Sequence, residues 1–419
     1  MRLLLDNFVE NGLVHEPPQT LTDTLINFST TVNQDYLMGT SYIRPLLNYG
    51  ESWTMSSDMF QYMKQESLDK LRNDPHCFLF FDASMEGFSP FEVPIARSLE
   101  KQCIQYNIDP RKIYFLTANF KESDCYNNHL AVNGPNYGIN IVETTNIADM
   151  VMPNQHESAD YHLLQCKKHH TDKIFLQLSR RNRPYRIMAN YVMAHSKNSI
   201  YGIISQDKVN IEQKNNFFYI YRKSPEAAKN EITEREFDRW NEKDLPAVAD
   251  NTDFQVNWAS WRSPDLYHKT LFSVVLETSM RDLGGTTIFP SEKIFKAMIH
   301  RHPFIAFGHR GINHHLKMLG FRTYEQWFDI SSFDFETDPY IRYKKICQRV
   351  NEVVDQLKKM SIQERIHWRF MNREILDHNY NLIFGKVLKQ REAMNIHKTV
   401  KSYVDGNFFS YLSVNPHTS

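Results

Sequence analysis

The sequence predicts an α/β protein made of two Rossmann-like, doubly wound domains facing a cleft, with long helices at its C-terminal end. Three observations predict this class. Short apolar runs alternate with helical patterns along most of the chain. The alternation stops in a polar stretch over 153–173 and then restarts. A chain of 419 residues also exceeds what one ordinary core organises, so two domains are the natural division.

In the first half, CFLFFD (77–82) is an apolar run of strand length. Val93, Ile95, Ala96, Leu99 and Ile104 then mark the apolar side of a helix over 91–107. KIYFLT (112–117) and YGINIVE (137–143) supply two more strands. Strands separated by a helix lie parallel, because the crossover brings the chain back to the same end of the sheet. A first Rossmann-like domain is therefore expected over 1–165.

In the second half, a strand over 173–179 leads to a helix over 184–196 and a strand over 199–205. The stretch 206–265 is polar and irregular, with FFYIYR (217–222) read as a strand. A strand over 268–277, a helix over 291–301, a strand over 303–308 and a short helix over 312–320 follow. These make a second Rossmann-like domain over 166–360. Helices over 338–359 and 361–395 close the pattern, and 361–419 is expected to pack back across both domains. Doubly wound sheets bind ligands at the carboxyl ends of their strands.

Lys+Arg and Asp+Glu both number 49, so there is no global basic field for nonspecific nucleic-acid binding. A local basic groove stays open. With 41% hydrophobic residues the chain is not of the disordered class. The 5 cysteines (Cys77, Cys103, Cys125, Cys166, Cys347) form no CxxC pair, which argues against a zinc ribbon or a disulfide framework. They read as reduced core thiols of a cytoplasmic protein. MRLLLDNFVENG is too short an apolar run for a signal peptide, and no run approaches the ~18 residues of a membrane span.

Arg180, Arg181 and Arg183 stand where a parallel strand ends and a helix begins. Pro184 suits the first turn of that helix, where no N–H is needed. A helix N-terminus carries partial positive charge, so added arginines are repelled unless an anion joins them. Guanidinium forks match phosphate oxygens. A diphosphate clamp and a set of solvated ion pairs are the two readings. In PSEK (290–293), Ser291 suits an N-cap and Glu292 the first turn. Capping alone explains these two, but not Lys293 and Lys296, which the dipole disfavours. An anionic ligand at that helix start would explain the lysines.

No metal is expected. His169-His170, His300-x-His302 and His314-His315 lack i, i+4 spacing with an acid. Asp334-x-Glu336-x-Asp338 precedes a helix and reads as capping. There is no P-loop and no GxGxxG, which disfavours a kinase or a dehydrogenase.

FLQLSRRNRPYR together with ETS…PSEKIFKAMIHRHPFIAFG…LKMLGFRTYEQWFD resembles phage, viral and bacterial glycosyltransferases of the two-Rossmann (GT-B) type. The SEK run resembles the TEK core of fucosyltransferases. The likeness covers about 173–380; Tyr185 replaces a usual histidine and Ala297 a usual proline. DASMEG (82–87) is similar to an acidic D…EG of the family's N-terminal half. His378, Asn379 and Tyr380 also match a recurring pair there, as helix-surface residues or as part of a closure.

The resemblance implies a nucleotide-sugar donor on the second domain and an acceptor on the first. Arg180, Arg181, Arg183 and Arg186 would face the diphosphate. Glu292 would hold the ribose and Lys293 phosphate or ribose, with Ser291 and Lys296 also counted as donor-binding. Glu277 and Thr278 would line the same pocket. Sugar transfer builds charge on the leaving diphosphate, which fixed cations neutralise. The acceptor hydroxyl needs a general base, Glu86 ahead of Asp82. Asp82 as a turn cap and Glu86 as a surface acid is the plainer reading. An inverting, metal-independent transferase is expected, with no cofactor beyond the donor, a UDP-sugar ahead of a GDP-sugar. The acceptor is a hydroxymethylpyrimidine in phage DNA or a glycan, in the host cytoplasm if phage-encoded. A non-catalytic nucleotide-sugar or phosphate-binding module is the rival.

Overall fold

The computed structural model describes residues 4–6, 37–42, 47–48, 54–55, 60, 63–83, 95–133, 138–145, 148, 156–169, 172–179, 182–225, 227, 232–245, 264–277, 287–385 and 387–405. The chain divides into two compact units. One comprises Met1–Asp149, Thr286–Phe289 and Lys386–Ser419; the other comprises Met150–Gly285 and Pro290–Gly385. Each carries a parallel sheet, so the α/β class expected from the sequence is the class observed.

In the first unit the strands are β1 (Leu4–Asp6), β2 (Leu37–Tyr42), the small antiparallel pair β3 (Leu47–Asn48) and β4 (Thr54–Met55), β5 (Cys77–Ala83), β6 (Ile113–Thr117) and β7 (Asn140–Glu143). The main sheet runs β1-β2-β5-β6-β7 with every pair parallel. This order follows the sequence. Right-handed crossovers on such an order put every connecting helix on one face. The helices Gln65–Asn73, Ile95–Gln105 and Glu122–Asn133 accordingly share that face. Cys77, Leu79, Ile113 and Phe115 pack there against Leu68, Leu71, Leu99, Cys103 and Tyr126.

Alternation along the same strands sends Phe78, Phe80, Tyr114 and Leu116 to the opposite face. Among the described residues no crossover helix packs against them. Ile396 and Val400 of the C-terminal helix Val387–Val404 do. Tyr403 packs edge-on to Phe78, with ring centroids 5.6 Å apart. The hydroxyls of Thr144 and Thr145, both at 2.8 Å, and the Thr145 N–H at 2.7 Å donate to the Glu392 carboxylate, which fixes this helix at the end of β7.

In the second unit the strands are β8 (Phe175–Leu178), β9 (Gly202–Ser205), β10 (Phe272–Leu276) and β11 (Phe304–Phe307). The order is β11-β10-β8-β9, all parallel. The winding therefore reverses between β8 and β10, which is the doubly wound arrangement. The helix Pro184–Ala194 leads from β8 toward β9, and Glu292–Ile299 leads from β10 to β11. Right-handed crossovers set these two helices on opposite faces. Among the described residues no helix is long and apolar enough to cross a membrane.

Two expectations are corrected. FFYIYR does not form a strand; it lies in and just past the helix Ile211–Tyr221. Asn210 and Gln213 close a capping box there. Phe217, Phe218 and Tyr221 are buried at helical spacing, against Phe237 among others, while Tyr219 faces out. The cap and tertiary packing override the strand preference of the aromatic residues. The compact units also part at 149/150, earlier than the expected 165/166. The reason is that the helix Ala159–His169 packs on Pro264–Lys269 and Ile362–Phe370. The region 361–419 is divided as well: Ile362–Phe370 and Arg373–Phe384 belong to the second unit, Val387–Val404 to the first.

Ile396→Ala should lower unfolding stability by about 2–5 kcal/mol, the usual cost of emptying a buried isoleucine site. Met394→Ala, on the exposed side of the same helix, should stay within about 0.5 kcal/mol. Urea titration followed by circular dichroism compares the two.

Candidate functional site

The reversal of strand order places the ends of β8 and β10 side by side, and both candidate motifs begin there. After β8 the chain runs through Ser179 and the arginine loop into the helix Pro184–Ala194, with Arg183 as an extended N-cap residue and Pro184 in the first turn. No side chain caps this end. After β10 it reaches Glu277, and after the following loop Ser291 caps Glu292–Ile299.

The two motifs meet at Glu277. Its backbone carbonyl accepts from Arg186 Nε at 2.9 Å, across 91 residues of sequence. Its carboxylate Oε1 accepts from the Ser291 N–H at 3.1 Å. Its own N–H donates to the Phe307 carbonyl at 2.9 Å, holding it at the end of β10. The close packing needs Gly308: a Cβ there would lie 3.1 Å from Glu277 Cβ and Cγ. Glu277, Ser291, Glu292 and Arg186 are all buried.

Charge is balanced inside this cluster. Lys293 Nζ pairs with the Glu292 carboxylate and lies 3.3 Å from Ser291 Oγ. Burial pushes the Glu292 carboxyl up, but Lys293, Lys296 and Arg186 together hold it below its ordinary value. Burial pulls the Lys293 ammonium below the usual lysine value, against the attraction of Glu292. Burial raises the Glu277 carboxyl, with Lys293 and Ser291 opposing. The expectation that the lysines need an external anion is thus modified. Lys293 already has a resident carboxylate one residue away.

Asn182, just before Arg183, is held by a chain of polar side chains. Tyr343 Oη donates to Gln177 Oε1 at 2.5 Å, and Gln177 Nε2 to Asn190 Oδ1 at 2.6 Å. Asn190 Nδ2 donates to Gln206 Oε1, and Gln206 Nε2 to Asn182 Oδ1. Asn182 Nδ2 then donates to the Lys208 carbonyl at 2.6 Å. The chain thus ties Asn182, next to Arg183, to β8 and to the segment after β9. These residues were not expected as site residues. Their signal is a polar residue inside an apolar pattern: Gln177 in KIFLQL and Asn190 in IMANYVM.

Of the expected site residues, the structure brings together Arg186, Glu277, Ser291, Glu292 and Lys293. Lys296 follows one turn further along the same helix, half-buried, and Arg183 is half-buried at its own helix start. Arg180, Arg181, Thr278 and Glu86 lie outside the described residues. Asp82 is described through its backbone, in register with Tyr42 and Leu116 on β5.

The acidic triplet is structural. Asp338 Oδ1 accepts from the Ile341 N–H at 2.8 Å, Glu336 pairs with Lys345 at 2.8 Å, and Asp334 accepts from Asn313 Nδ2 at 2.7 Å. Asn379 has a holding role too, bonding the Arg322 N–H and carbonyl, each at 2.8 Å. Among the described residues the group with metal-ligand geometry is Glu157, His162 and His300. It lies at the far end of the Glu292–Ile299 helix, where His300 is the C-cap.

No family model and no curated protein matches this chain. Among solved structures it is similar to the Candida albicans trehalose-6-phosphate phosphatase N-terminal domain, with TM-score 0.42, 9% identity, and coverage of 92% of this chain and 76% of that one. The α,α-trehalose 6-phosphate synthase of Burkholderia multivorans gives TM-score 0.41 and 10% identity, over 92% and 75% of the two chains. "Trehalose-6-phosphate from E. coli bound with UDP-2-fluoro glucose" gives TM-score 0.40 and 11% identity, over 91% and 77%. Likeness at this level does not assign an activity.

Because Glu292 is held below its ordinary value, its ion pair stabilises the fold above the unfolded-state carboxyl value. That stability is lost as pH falls through the folded value. The thermal midpoint should therefore drop on acidification below about pH 4.5. Glu292→Gln should flatten this part of the profile in scanning calorimetry.

Proposed function

We propose that this chain is a glycosyltransferase that binds a nucleotide sugar where β8 and β10 end. The observation that carries the reading is the joining of two helix starts at Glu277, one bringing Arg183 and Arg186, the other Glu292, Lys293 and Lys296. Helix starts and fixed cations favour an anion. The reversal of strand order is where such sheets take their ligands.

In this reading the donor is a nucleoside diphosphate sugar, a UDP-sugar ahead of a GDP-sugar. Arg180, Arg181 and Arg183 neutralise the leaving diphosphate, and Arg186 holds the site together through the Glu277 carbonyl. Lys293 is shared between Glu292 and phosphate, and Glu292 between Lys293 and the ribose hydroxyls. With that countercharge the leaving group needs no metal. Glu86, ahead of Asp82, removes the acceptor proton. The acceptor is a hydroxyl of a glycan or of a hydroxymethylpyrimidine in DNA. DNA would give binding that falls steeply with salt.

Lys293→Ala and Arg183→Ala should each weaken binding of a nucleoside diphosphate roughly ten- to hundredfold, the loss of a charged hydrogen bond of about 1.5–3 kcal/mol. Titration calorimetry with UDP and GDP measures this, and unchanged affinity removes the donor site. Glu86→Gln should keep nucleotide affinity and lose transfer of sugar to acceptor. Full transfer by that variant would remove Glu86 as the base. A binding module without catalysis would bind nucleotide sugar and transfer nothing, with or without Glu86.

A further inference from the structure

Glu157, His162 and His300 come from three separate places in the second unit. Glu157 precedes the helix Ala159–His169, His162 lies in its first turn, and His300 caps the end of Glu292–Ile299. One ligand atom from each lies within 4.8 Å of the other two. His162 and His300 are fully buried, while the Glu157 side chain is 25% exposed. The Glu157 Oε2 to His162 Nε2 distance is 3.2 Å. That matches the edge of a zinc tetrahedron, roughly 3.4 Å for metal–ligand distances of about 2.0–2.1 Å. Yet His162 Nε2 makes no hydrogen bond among the described residues. A buried nitrogen facing a carboxylate without a hydrogen bond is a group awaiting a partner.

The surroundings fix these side chains as a metal site requires. His162 Nδ1 lies 3.3 Å from His268 Nε2, a contact that orients the ring and leaves Nε2 toward Glu157. His300 stacks on Tyr267 with ring centroids 4.4 Å apart. The Glu157 N–H donates to Tyr380 Oη at 2.9 Å, and its carbonyl accepts from Arg301. The two nearby guanidiniums are engaged elsewhere. Arg301 Nε pairs with Asp377 at 2.7 Å, and Arg369 donates to the carbonyls of Tyr267 and His300 at 2.6 and 2.7 Å.

We propose that Glu157, His162 and His300 bind one divalent cation of the zinc class, clamping the start of Ala159–His169 to the end of Glu292–Ile299. Two imidazoles and a carboxylate are a zinc donor set, with water completing the coordination. The site is separate from the nucleotide site and stands whether or not that site binds a donor.

The test uses the full chain, stripped with a chelator and titrated with Zn2+ alone, then with Co2+. One equivalent should bind, the Co2+ form should show the visible absorption of a low-symmetry site, and Zn2+ should raise the thermal midpoint reversibly. His162→Gln should weaken Zn2+ binding by more than the roughly 10–100-fold that loss of an outer-shell partner costs. Glu157→Gln, at the partly exposed and near-isosteric position, should do the same if the buried histidine variant does not fold. His314→Gln, in an unrelated histidine pair, should leave binding unchanged. Absence of stoichiometric uptake, or uptake unaffected by Glu157→Gln, overturns the proposal.

Discussion

Placing β8 beside β10 forces the second unit to bring two unrelated chain segments to one point. Each strand is followed by a helix whose start carries partial positive charge. The helices wind to opposite faces, so their starts diverge from a common crevice. Glu277 is the residue that makes this juncture definite. Its carbonyl takes Arg186 from one segment, and its carboxylate takes the Ser291 N–H from the other. A buried acid in this position raises an electrostatic cost that Lys293 offsets. The same lysine is balanced by Glu292. The two acids and the two cations, Lys293 and Arg186, thus offset one another within the cluster.

The polar chain from Tyr343 to Asn182 serves the same juncture from the other side. Each carboxamide has its donor and acceptor assigned by the next member, so none can rotate without breaking two bonds. Asn182, beside Arg183 at the helix start, takes its fixed orientation from that chain.

Much of the second unit is readable in the sequence because β8, β10 and β11 are buried on both faces and appear as continuous apolar runs. Pro184 and Ser291 announce their helices by chemistry that acts within one turn. What could not be read depends on partners distant in sequence. FFYIYR carries strand-favouring residues, and only its packing on Phe237 shows that it is helical. Lys293 seemed to demand a ligand because its pairing with Glu292 is a matter of side-chain direction. The histidines gave no metal spacing, since His162 and His300 meet through tertiary structure. For His378 and Asn379 the sequence leaves helix-surface residues and a closure as alternatives; in the structure they bond the backbone of 320–322. Glu86 lies outside the described residues, as do Arg180 and Arg181, so the base and two of the arginines are read from sequence.

The covering of Phe78, Phe80, Tyr114 and Leu116 by Ile396 and Val400 has a bearing on synthesis. The Thr144–Glu392 bond spans 248 residues, and the apolar contacts beside it span more. A ribosome adding about 5–20 residues per second leaves that face of the sheet wet for many seconds after its strands have emerged. During that interval the second unit is completed first, since its own segments end before the closing helix appears. The N-terminal sheet is thus the later of the two to mature, reversing the order in which the strands are made. Until the last helix docks, the half-covered sheet is the part of the newborn chain that a chaperone would hold.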